Sequence, residues 1–344
     1  MNTALVGFLV ILLLALAFEF INGFHDTANS IATTISTHAL TPLFAILMAG
    51  TFNFIGALVS HNVAITISSG LIHGEVALSI IAAALVAAII WNLATWYLGI
   101  PSSSSHAIIG ALLGAYIEST MSFHNIIWSG VWQKVILPLI TSPIAGFIIG
   151  YLIMTLLFEL LRRLSQHVVN KYFSKLQILS AAFMAFSHGS NDAQKTMGII
   201  TMALVSVNMA HPGTISNTFM PASPSSIPLW VTVICALVMA SGTSTGGWRV
   251  IKTMGMNMIK LQPIGGFAAE TAAAVIISAA SAIGAPVSTT HVISSTIMGV
   301  GAAKRLSAVR WSLAKNIVSA WILTIPVTML LGAGISFIVR LFIR

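Results

Sequence analysis

The chain has 344 residues, of which 57% are hydrophobic and 6% are charged. Soluble domains usually carry about 25% charged residues, so this composition excludes an ordinary soluble protein and indicates one that is embedded in a membrane. The net charge of +8 does not predict a nucleic-acid partner, because eleven of the fifteen Lys and Arg residues fall in the short stretches 162–175, 249–260 and 304–315. Such clusters are typical of cytoplasmic loops, and we expect the lipid bilayer to be the main partner.

The first half of the chain contains four predicted membrane elements. Residues 3–36 predict a helix that is interrupted at the polar stretch NGFHDTANS, and residues 42–67 predict a second span. Residues 76–117 predict a re-entrant hairpin, because a proline ends the apolar run and the remaining run of about 14 residues is too short to span. Residues 131–159 predict a last span. The first apolar run lacks a basic flank and a cleavage site, so we do not expect a removed signal peptide.

The second half repeats this order. Residues 176–206 predict a broken helix, 227–247 a span, 263–301 a second hairpin and 316–338 a last span. The basic stretch between the halves is predicted to be a cytoplasmic linker. The predicted domains are a first repeat at 1–161, a linker at 162–175 and a second repeat at 176–344. The single cysteine, Cys235, excludes an internal disulfide framework.

Two polar motifs recur in the same order in both halves. GFHDTAN at 23 matches GSNDAQK at 189, and GIPSSSSHAIIGALLGA at 99 matches GAPVSTTHVISSTIMGV at 284. The two offsets, 166 and 185, differ because the second half has an additional polar stretch at 207–226, which we predict to be a loop.

The charge pattern predicts how the two halves are oriented. With the basic stretches inside, both termini lie outside and the two hairpins open to opposite sides. The predicted fold is therefore an all-α polytopic membrane protein with two inverted-topology repeats, each containing a broken helix and a re-entrant helical hairpin. Secondary transporters commonly have this design, with the substrate near the midplane.

The first motif places carboxylates at membrane depth. Asp26 and Asp192 occupy matched positions and are accompanied by Asn29 and Asn191. A carboxylate at that depth is costly and indicates a functional site. An alternative is a polar contact that only holds helices together, but such a contact has no reason to recur with its flanking Gly and Asn. The oxygen atoms of these four side chains suit a proton or a small cation.

The second motif opens a helix with hydroxyl groups in each hairpin. These residues are Ser103, Ser104, Ser105, Ser288, Thr289 and Thr290. A helix start has unpaired N–H groups and a partial positive charge, so two opposed starts would suit an oxyanion. The alternative is simple helix capping by serine and threonine. Anion and cation sites together favour co-transport over an anion channel, a membrane enzyme or a purely structural protein.

The paired motifs GFHDTANSIAT and GSNDAQKTMGI, with GIPSSSSH and GAPVSTTH, resemble those of the inorganic phosphate transporter (PiT) family. The stretch GWRVIKTMG…LQPIGGFAAETAAA at 246–274 is similar to the family's second half, and the resemblance covers essentially the whole chain. It implies a secondary active symporter that moves inorganic phosphate by alternating access, with no enzymatic activity, cofactor or resident metal. The substrate-binding residues that it implies are Asp26, Asn29, Ser103, Ser104, Ser105, Asn191, Asp192, Ser288, Thr289 and Thr290.

Two departures from the family pattern concern the coupling ion. His25 replaces the Asn that usually precedes the first Asp, and Lys195 stands where sodium-coupled members have a later Asn. Histidine ordinarily titrates near pH 6.5, at about physiological values, and a lysine ammonium could occupy the place of a sodium ion or bind phosphate. Both changes resemble the bacterial, low-affinity branch. We therefore expect proton coupling, including transport of a metal–phosphate complex, and leave sodium coupling and sulfate transport open as alternatives.

Further carboxylates lie within the apolar runs. Glu270, in the second hairpin, is a predicted coupling-ion residue. The others are His25, Asp26, Asn29, Asn191 and Asp192, and Glu19 is a candidate of the same kind. The resemblance also implies a bacterial-type cytoplasmic membrane as the location and a homodimer as an assembly that family members form.

Overall fold

The fold consists of long α-helices, as the composition predicts. The computed structural model describes residues 3–223 and 226–342. In the first half the helices are α1 (Thr3–Ser36), α2 (Pro42–Ala57), α3 (Asn62–Ser69), α4 (Leu78–Leu98), α5 (Ser104–Thr120), α6 (Trp128–Gly130) and α7 (Leu137–Leu161). In the second half they are α8 (Gln166–Ala210), α9 (Leu229–Thr245), α10 (Trp248–Ile251), α11 (Pro263–Ala282), α12 (Thr289–Lys304) and α13 (Trp311–Phe342).

Both halves contain helices that are long enough to cross a membrane. Five of the described helices are long and apolar enough to cross a membrane, and seven spans result if each of two bent helix pairs is one span. A π-helical turn at Val131–Ile136 joins α6 to α7, which makes one span of Trp128–Leu161. In the described part of the chain there is no strand, and β pairing is limited to one isolated bridge between Ile72 and Ile126.

The polar stretch around Asp26 does not interrupt its helix, so the predicted breaks in 3–36 and 176–206 are wrong. Helix α1 continues for 34 residues and α8 for 45 residues through the two motifs. The glycines of the motifs permit close helix packing instead. A Cβ atom at Gly23 would lie 2.6 Å from the Met239 carbonyl oxygen, and one at Gly189 would lie 2.2 Å from that of Asn53.

Each half does contain a broken helix, but at another position. Helices α2 and α3 are bent by 65° relative to each other, and α9 is bent by 62° relative to the segment Trp248–Gly255. The first bend lies within the span predicted at 42–67, and the second lies at the end of the span predicted at 227–247. Gly246, with a φ of +74°, allows the chain to turn at the second bend.

The segment predicted as a linker, 162–175, is helical over most of its length. Helix α7 ends at Leu161 and α8 begins at Gln166, so the connection that is not helical is short. Polar composition misled the prediction here, because an exposed basic helix has the same composition as a loop. The predicted loop at 207–226 is also shorter, since α8 extends to Ala210, and its residues 224 and 225 lie outside the described residues.

Both predicted hairpins are present. In the first, α4 and α5 are joined by residues 99–103, and in the second, α11 and α12 are joined by residues 283–288. The residues Pro101 to Ser105 and Ala285 to Thr290 are all buried. Each hairpin packs its second helix against the last span of the other half, α5 against α13 and α12 against α7.

Close contacts recur between the halves at matched positions. A Cβ atom at Gly114 of α5 would lie 2.0 Å from the Met329 carbonyl oxygen, and one at Gly299 of α12 would lie 2.1 Å from that of Phe147. Glycine at these positions lets helix backbones approach closely, as is common inside membranes. Recurrence of the same contact in both halves supports the predicted repeat.

Contacts also show which segments share an end of the helix bundle. At one end, the Gln166 side chain donates to Gln262 and the Arg310 N–H donates to the Met258 carbonyl, which brings the three basic stretches together. At the other end, Arg340 pairs with Glu118 at 2.7 Å. The C-terminal end of α13 therefore lies beside the open end of the first hairpin, away from the basic stretches.

Candidate functional site

The two motif aspartates, one from each half, meet in a single buried cluster. The Ser104 hydroxyl donates to Asp26 Oδ2 at 2.8 Å, and Lys195 Nζ donates to Ser104 Oγ at 3.1 Å. Lys195 Nζ also lies 2.9 Å from Asp192 Oδ1. Three elements that are distant in sequence, α1, the first hairpin and α8, are thus connected through one hydroxyl and one ammonium group. None of the four side chains is more than 2% exposed.

The second hairpin completes this cluster. The hydroxyls of Thr290 and Thr289 donate to Asp26 Oδ1 and Asp192 Oδ2, each at 3.3 Å. The Asn29 amide donates to both of these threonine hydroxyls, at 2.9 and 3.1 Å. The first hairpin tip therefore directs a hydroxyl group at Asp26, and the second tip directs hydroxyl groups at both aspartates.

The remaining hairpin hydroxyls form hydrogen bonds within and between the two hairpin tips. Ser103 and Ser288 are the N-caps of α5 and α12, and each accepts a hydrogen bond of 3.2 Å from a histidine backbone N–H three residues on. Ser105 donates to the Val287 carbonyl at 2.9 Å and so links the first tip to the second. For Ser103 and Ser288 the capping alternative describes the contacts that the structure shows.

His25 and Asn191 occupy matched positions and each contacts a hairpin. His25 Nδ1 lies 2.7 Å from Asp26 Oδ1, and its Nε2 lies 3.2 Å from Thr95 Oγ1 in α4. The Asn191 amide donates to Ser281 Oγ in α11 at 2.8 Å. His25 therefore connects an aspartate of the cluster to the first hairpin.

His188 is a member of the cluster that sequence reasoning did not select. Its Nε2 lies 3.4 Å from Asp192 Oδ2, and its Nδ1 lies 3.1 Å from Asn53 Oδ1. Donor atoms of His188, Asp26 and Asp192 all lie within 4.8 Å of one another, which is compatible with one bound cation. The signal in the sequence was its spacing, because positions 188 and 192 are one turn apart on the same face of a helix.

Glu270 does not lie in this cluster, so the structure separates it from the other predicted coupling-ion residues. Its carboxylate accepts hydrogen bonds from Thr33, Thr34 and Gln177, at 2.5, 3.0 and 3.0 Å, and from Ser180. This arrangement joins the second hairpin to α8 and to α1, where the contact lies about two turns along the helix from Asp26. Residue spacing along α11 could not show this, because the partners come from other helices.

His106 and His291 form a contact between the hairpin tips. Their ring centroids are 5.1 Å apart, and His291 stacks on Trp321 at 4.2 Å. Among the residues that the structure describes, none of the four ring nitrogens has a hydrogen-bond partner. The rings therefore act as packing groups where the two tips meet.

The cluster combines donors for an oxyanion with acceptors for a cation. Lys195, Asn29 and the hydroxyls of Ser104, Thr289 and Thr290 can donate to phosphate-type oxygens, and in this structure they donate to each other and to the two aspartates. An anion here would lie near two carboxylates, and an accompanying cation would limit the cost of buried charge. The protein surrounds the cluster completely, which excludes direct passage to either end.

Comparison with known proteins points to one family. Residues 22–332 match the family described as "Phosphate transporter family". A relative from Bacillus subtilis (strain 168), named "Probable low-affinity inorganic phosphate transporter", is 45% identical over 99% of this chain and 99% of its own length. A relative of the same name from Rhizobium meliloti (strain 1021) is 45% identical over 96% of this chain and 94% of its own.

The fold is also similar to that of a solved structure, "The sodium-dependent phosphate transporter". The TM-score is 0.84, the sequence identity is 23%, and the alignment covers 98% of this chain and 99% of the other. At this identity the likeness concerns the fold. It shows that the helices and hairpins described above have the arrangement of a known transport protein.

Proposed function

This chain belongs to the phosphate transporter family, and from that premise we propose that it is a secondary active symporter that moves inorganic phosphate by alternating access and is driven by protons. It is a transporter and not an enzyme, as the names of its relatives at 42–45% identity indicate. The observation that carries the proposal is the convergence of Asp26 and Asp192 with Lys195 and the hydroxyls of both hairpins.

Phosphate is favoured as the substrate by both the relatives and the chemistry of the cluster. The relatives are named for inorganic phosphate. Phosphate near neutral pH can still donate a hydrogen bond, whereas sulfate cannot, so the acceptor oxygens of Asp26 and Asp192 suit phosphate better. Alternating access requires the two hairpins to separate in turn, and the contacts between their tips through Ser105 and the His106–His291 pair are the ones that would have to open.

Protons are favoured as the coupling ion by two side chains. Lys195 places an amino group beside Asp192, where a sodium ion would otherwise be needed, and His25 places an imidazole beside Asp26. The close approach of Asp26, His188 and Asp192 supports a second form of the substrate, a metal–phosphate complex in which these side chains contact the metal.

The same reasoning gives an orientation in the membrane. We place the end that carries the three basic stretches in the cytoplasm and both chain termini outside, in a bacterial-type cytoplasmic membrane. The division into repeats at 1–161 and 176–344 is supported by the matched glycine contacts of the two halves.

Uptake of radiolabelled phosphate into proteoliposomes tests this proposal. A proton gradient and a sodium gradient are imposed separately, with sulfate as competitor. We expect a proton gradient alone to drive accumulation, with little competition by sulfate. Uptake that requires sodium would refute proton coupling and keep the transporter. Accumulation of sulfate in place of phosphate would refute the substrate.

A further inference from the structure

Glu19 is a buried carboxyl group that the site described above does not use. It lies in α1 and is 0% exposed. The Thr196 hydroxyl donates to its Oε2, while Oε1 has no hydrogen-bond partner among the described residues. Asn22, one turn further along α1, faces the same carboxyl group, and within the described chain its two side-chain polar atoms are likewise without partners. Buried polar atoms without partners are rare and costly in proteins.

The position of Glu19 connects it to the phosphate site. Residues 19, 22 and 26 are spaced so that they lie along one face of α1. On the facing helix, Thr196 directly follows Lys195, the residue that pairs with Asp192. Glu19 is therefore adjacent to the cluster but has no direct hydrogen bond to the hairpin hydroxyls.

Few ionisable side chains lie near Glu19. Lys195 and Asp192 on α8 are within electrostatic range of its carboxyl group, and Cys235 on α9 lies near it. Helix α4, which also packs against α1, carries no Asp, Glu, Lys or Arg. Asp26 and its partner His25 follow two turns further along α1 itself.

The negative charges near Glu19 make phosphate entry electrostatically unfavourable, and protonation of a carboxylate reduces this repulsion. With Glu19 ionised, three carboxylates, Glu19, Asp26 and Asp192, lie close to the single ammonium of Lys195. Phosphate would add more negative charge to this buried region, where uncompensated charge is strongly unfavourable. Neutralising Glu19 removes one negative charge without occupying the donors that phosphate needs.

We propose that Glu19 carries the coupling proton. Its Oε1 takes up a proton to give the neutral carboxylic acid when phosphate binds, and releases the proton to water when the site opens to the other side; no other bond forms or breaks. The inference rests on the proposed function, because it names the carrier for proton-driven phosphate transport.

Glu270 differs from Glu19 in the number of hydrogen bonds that its carboxyl group accepts. Both are 0% exposed, but both oxygens of Glu270 accept hydrogen bonds, from four side chains in total. Such donors stabilise the ionised form of a carboxyl group. Glu19 accepts a hydrogen bond from one hydroxyl, with Asn22 facing the same carboxyl group, and its Oε1 has no partner within hydrogen-bond distance among the described residues, so the structure assigns the carrier to Glu19 and a helix-joining contact to Glu270.

The test compares Glu19→Gln with wild-type protein in proteoliposomes. Two quantities are measured in each sample: phosphate accumulation driven by a proton gradient, and exchange of labelled for unlabelled phosphate with no proton gradient. Coupling between two ligands commonly changes affinity by about 5- to 150-fold. We expect the ratio of driven accumulation to exchange to fall about tenfold or more in Glu19→Gln, together with the proton uptake reported by a pH dye inside the vesicles. Glu159→Gln, an exposed carboxyl that pairs with Arg162, is the control and should keep the wild-type ratio.

Each outcome bears on the proposal. A wild-type ratio and wild-type proton uptake in Glu19→Gln would overturn the assignment of Glu19 while leaving proton coupling intact. Wild-type protein that accumulates phosphate only with sodium would overturn the proposed coupling and this inference together. If Glu19→Gln does not fold, Thr196→Val removes the single hydroxyl donor to Glu19. That variant should shift the pH at which driven uptake is half-maximal, and an unshifted profile would overturn the proposal.

Discussion

At the scale of single residues, the protein maintains charges in its interior by pairing them. Asp192 is paired with Lys195 at 2.9 Å, and Asp26 with His25 at 2.7 Å. Removing one partner of a buried pair leaves the other charge without compensation, which is strongly unfavourable. The side chains that pair with one another in this structure are also those that could bind the substrate instead. Breaking such a pair therefore affects both stability and substrate binding.

Replacing Lys195 with Ala should weaken phosphate binding. Loss of a charge-assisted hydrogen bond costs about 1.5–3 kcal/mol, or roughly 10- to 100-fold in affinity. We expect the Michaelis constant for phosphate uptake to rise by about this factor. Lys171→Ala removes an exposed lysine and serves as control. A variant at position 195 with normal phosphate affinity would exclude a binding role for this lysine.

Replacing His25 with Asn should flatten the pH dependence of uptake. A protonated imidazole would add a positive charge beside Asp26 and so favour entry of an anion, whereas an asparagine side chain cannot take up a proton. We expect the ratio of initial uptake rates at acidic and alkaline pH to fall toward one in this variant, with the part that depends on Glu19 remaining. His124→Asn, at an exposed histidine, is the control. An unchanged ratio in His25→Asn would show that another group senses pH.

At the scale of elements, glycine determines how closely the two halves approach. The second helix of each hairpin packs against the last span of the other half through Gly114 and Gly299, and both glycines face a carbonyl oxygen of that span. Hydrophobic burial does not bring helices together inside a membrane, so close van der Waals packing of this kind contributes most to their association. The same contacts set the position of the hairpin tips and therefore of their hydroxyl groups.

A single methyl group at Gly114 should disturb both stability and transport. The added Cβ would lie 2.0 Å from the backbone oxygen of Met329, so α5 and α13 must move apart. Overpacking of this kind costs about 1–3 kcal/mol. We expect Gly114→Ala to have a lower thermal unfolding midpoint in detergent and reduced phosphate uptake. Gly334→Ala, where nothing lies within 4 Å of the added atom, should match wild type in both measurements. Equal behaviour of the two variants would contradict the packing described here.

At the scale of the whole molecule, charge and apolar surface are segregated. The three basic stretches meet at one end of the helix bundle, and the C-terminal end of α13 lies at the other. Large apolar side chains such as Leu13, Leu179, Ile322 and Leu330 are more than 60% exposed. Exposed apolar surface of this extent marks a region that contacts lipid or another protein, as expected of an integral membrane protein.

Labelling from one side of the membrane can test the orientation. Positions 125 and 165 are exposed and lie near opposite ends of the span Trp128–Leu161, which at 1.5 Å per residue is about 50 Å long. We expect Asn125→Cys to react with a membrane-impermeant maleimide in intact cells, and Ser165→Cys only after permeabilisation. Native Cys235 is 0% exposed, so it contributes little background. The reverse pattern would contradict the proposed orientation.

The sequence by itself determined the membrane class, the helical spans, both hairpins and the residues that meet at their tips. These features depend on hydropathy, proline positions and motif recurrence, which are local or repeated along the chain. Asp26, Asp192, Ser104, Thr289 and Thr290 could therefore be selected before any contact was known.

Tertiary structure alone decided where helices break and which side chains pair. A glycine within an apolar run is compatible with either a helix break or a close contact between helices. At Gly23 and Gly189 the backbones of other helices lie so close that the glycines serve the contact. The partners of Glu270 lie more than 80 residues away in sequence. Hydrogen bonds between distant helices arise from packing, and no spacing along one helix encodes them, which is why Glu270 was grouped with the wrong cluster and His188 was not selected.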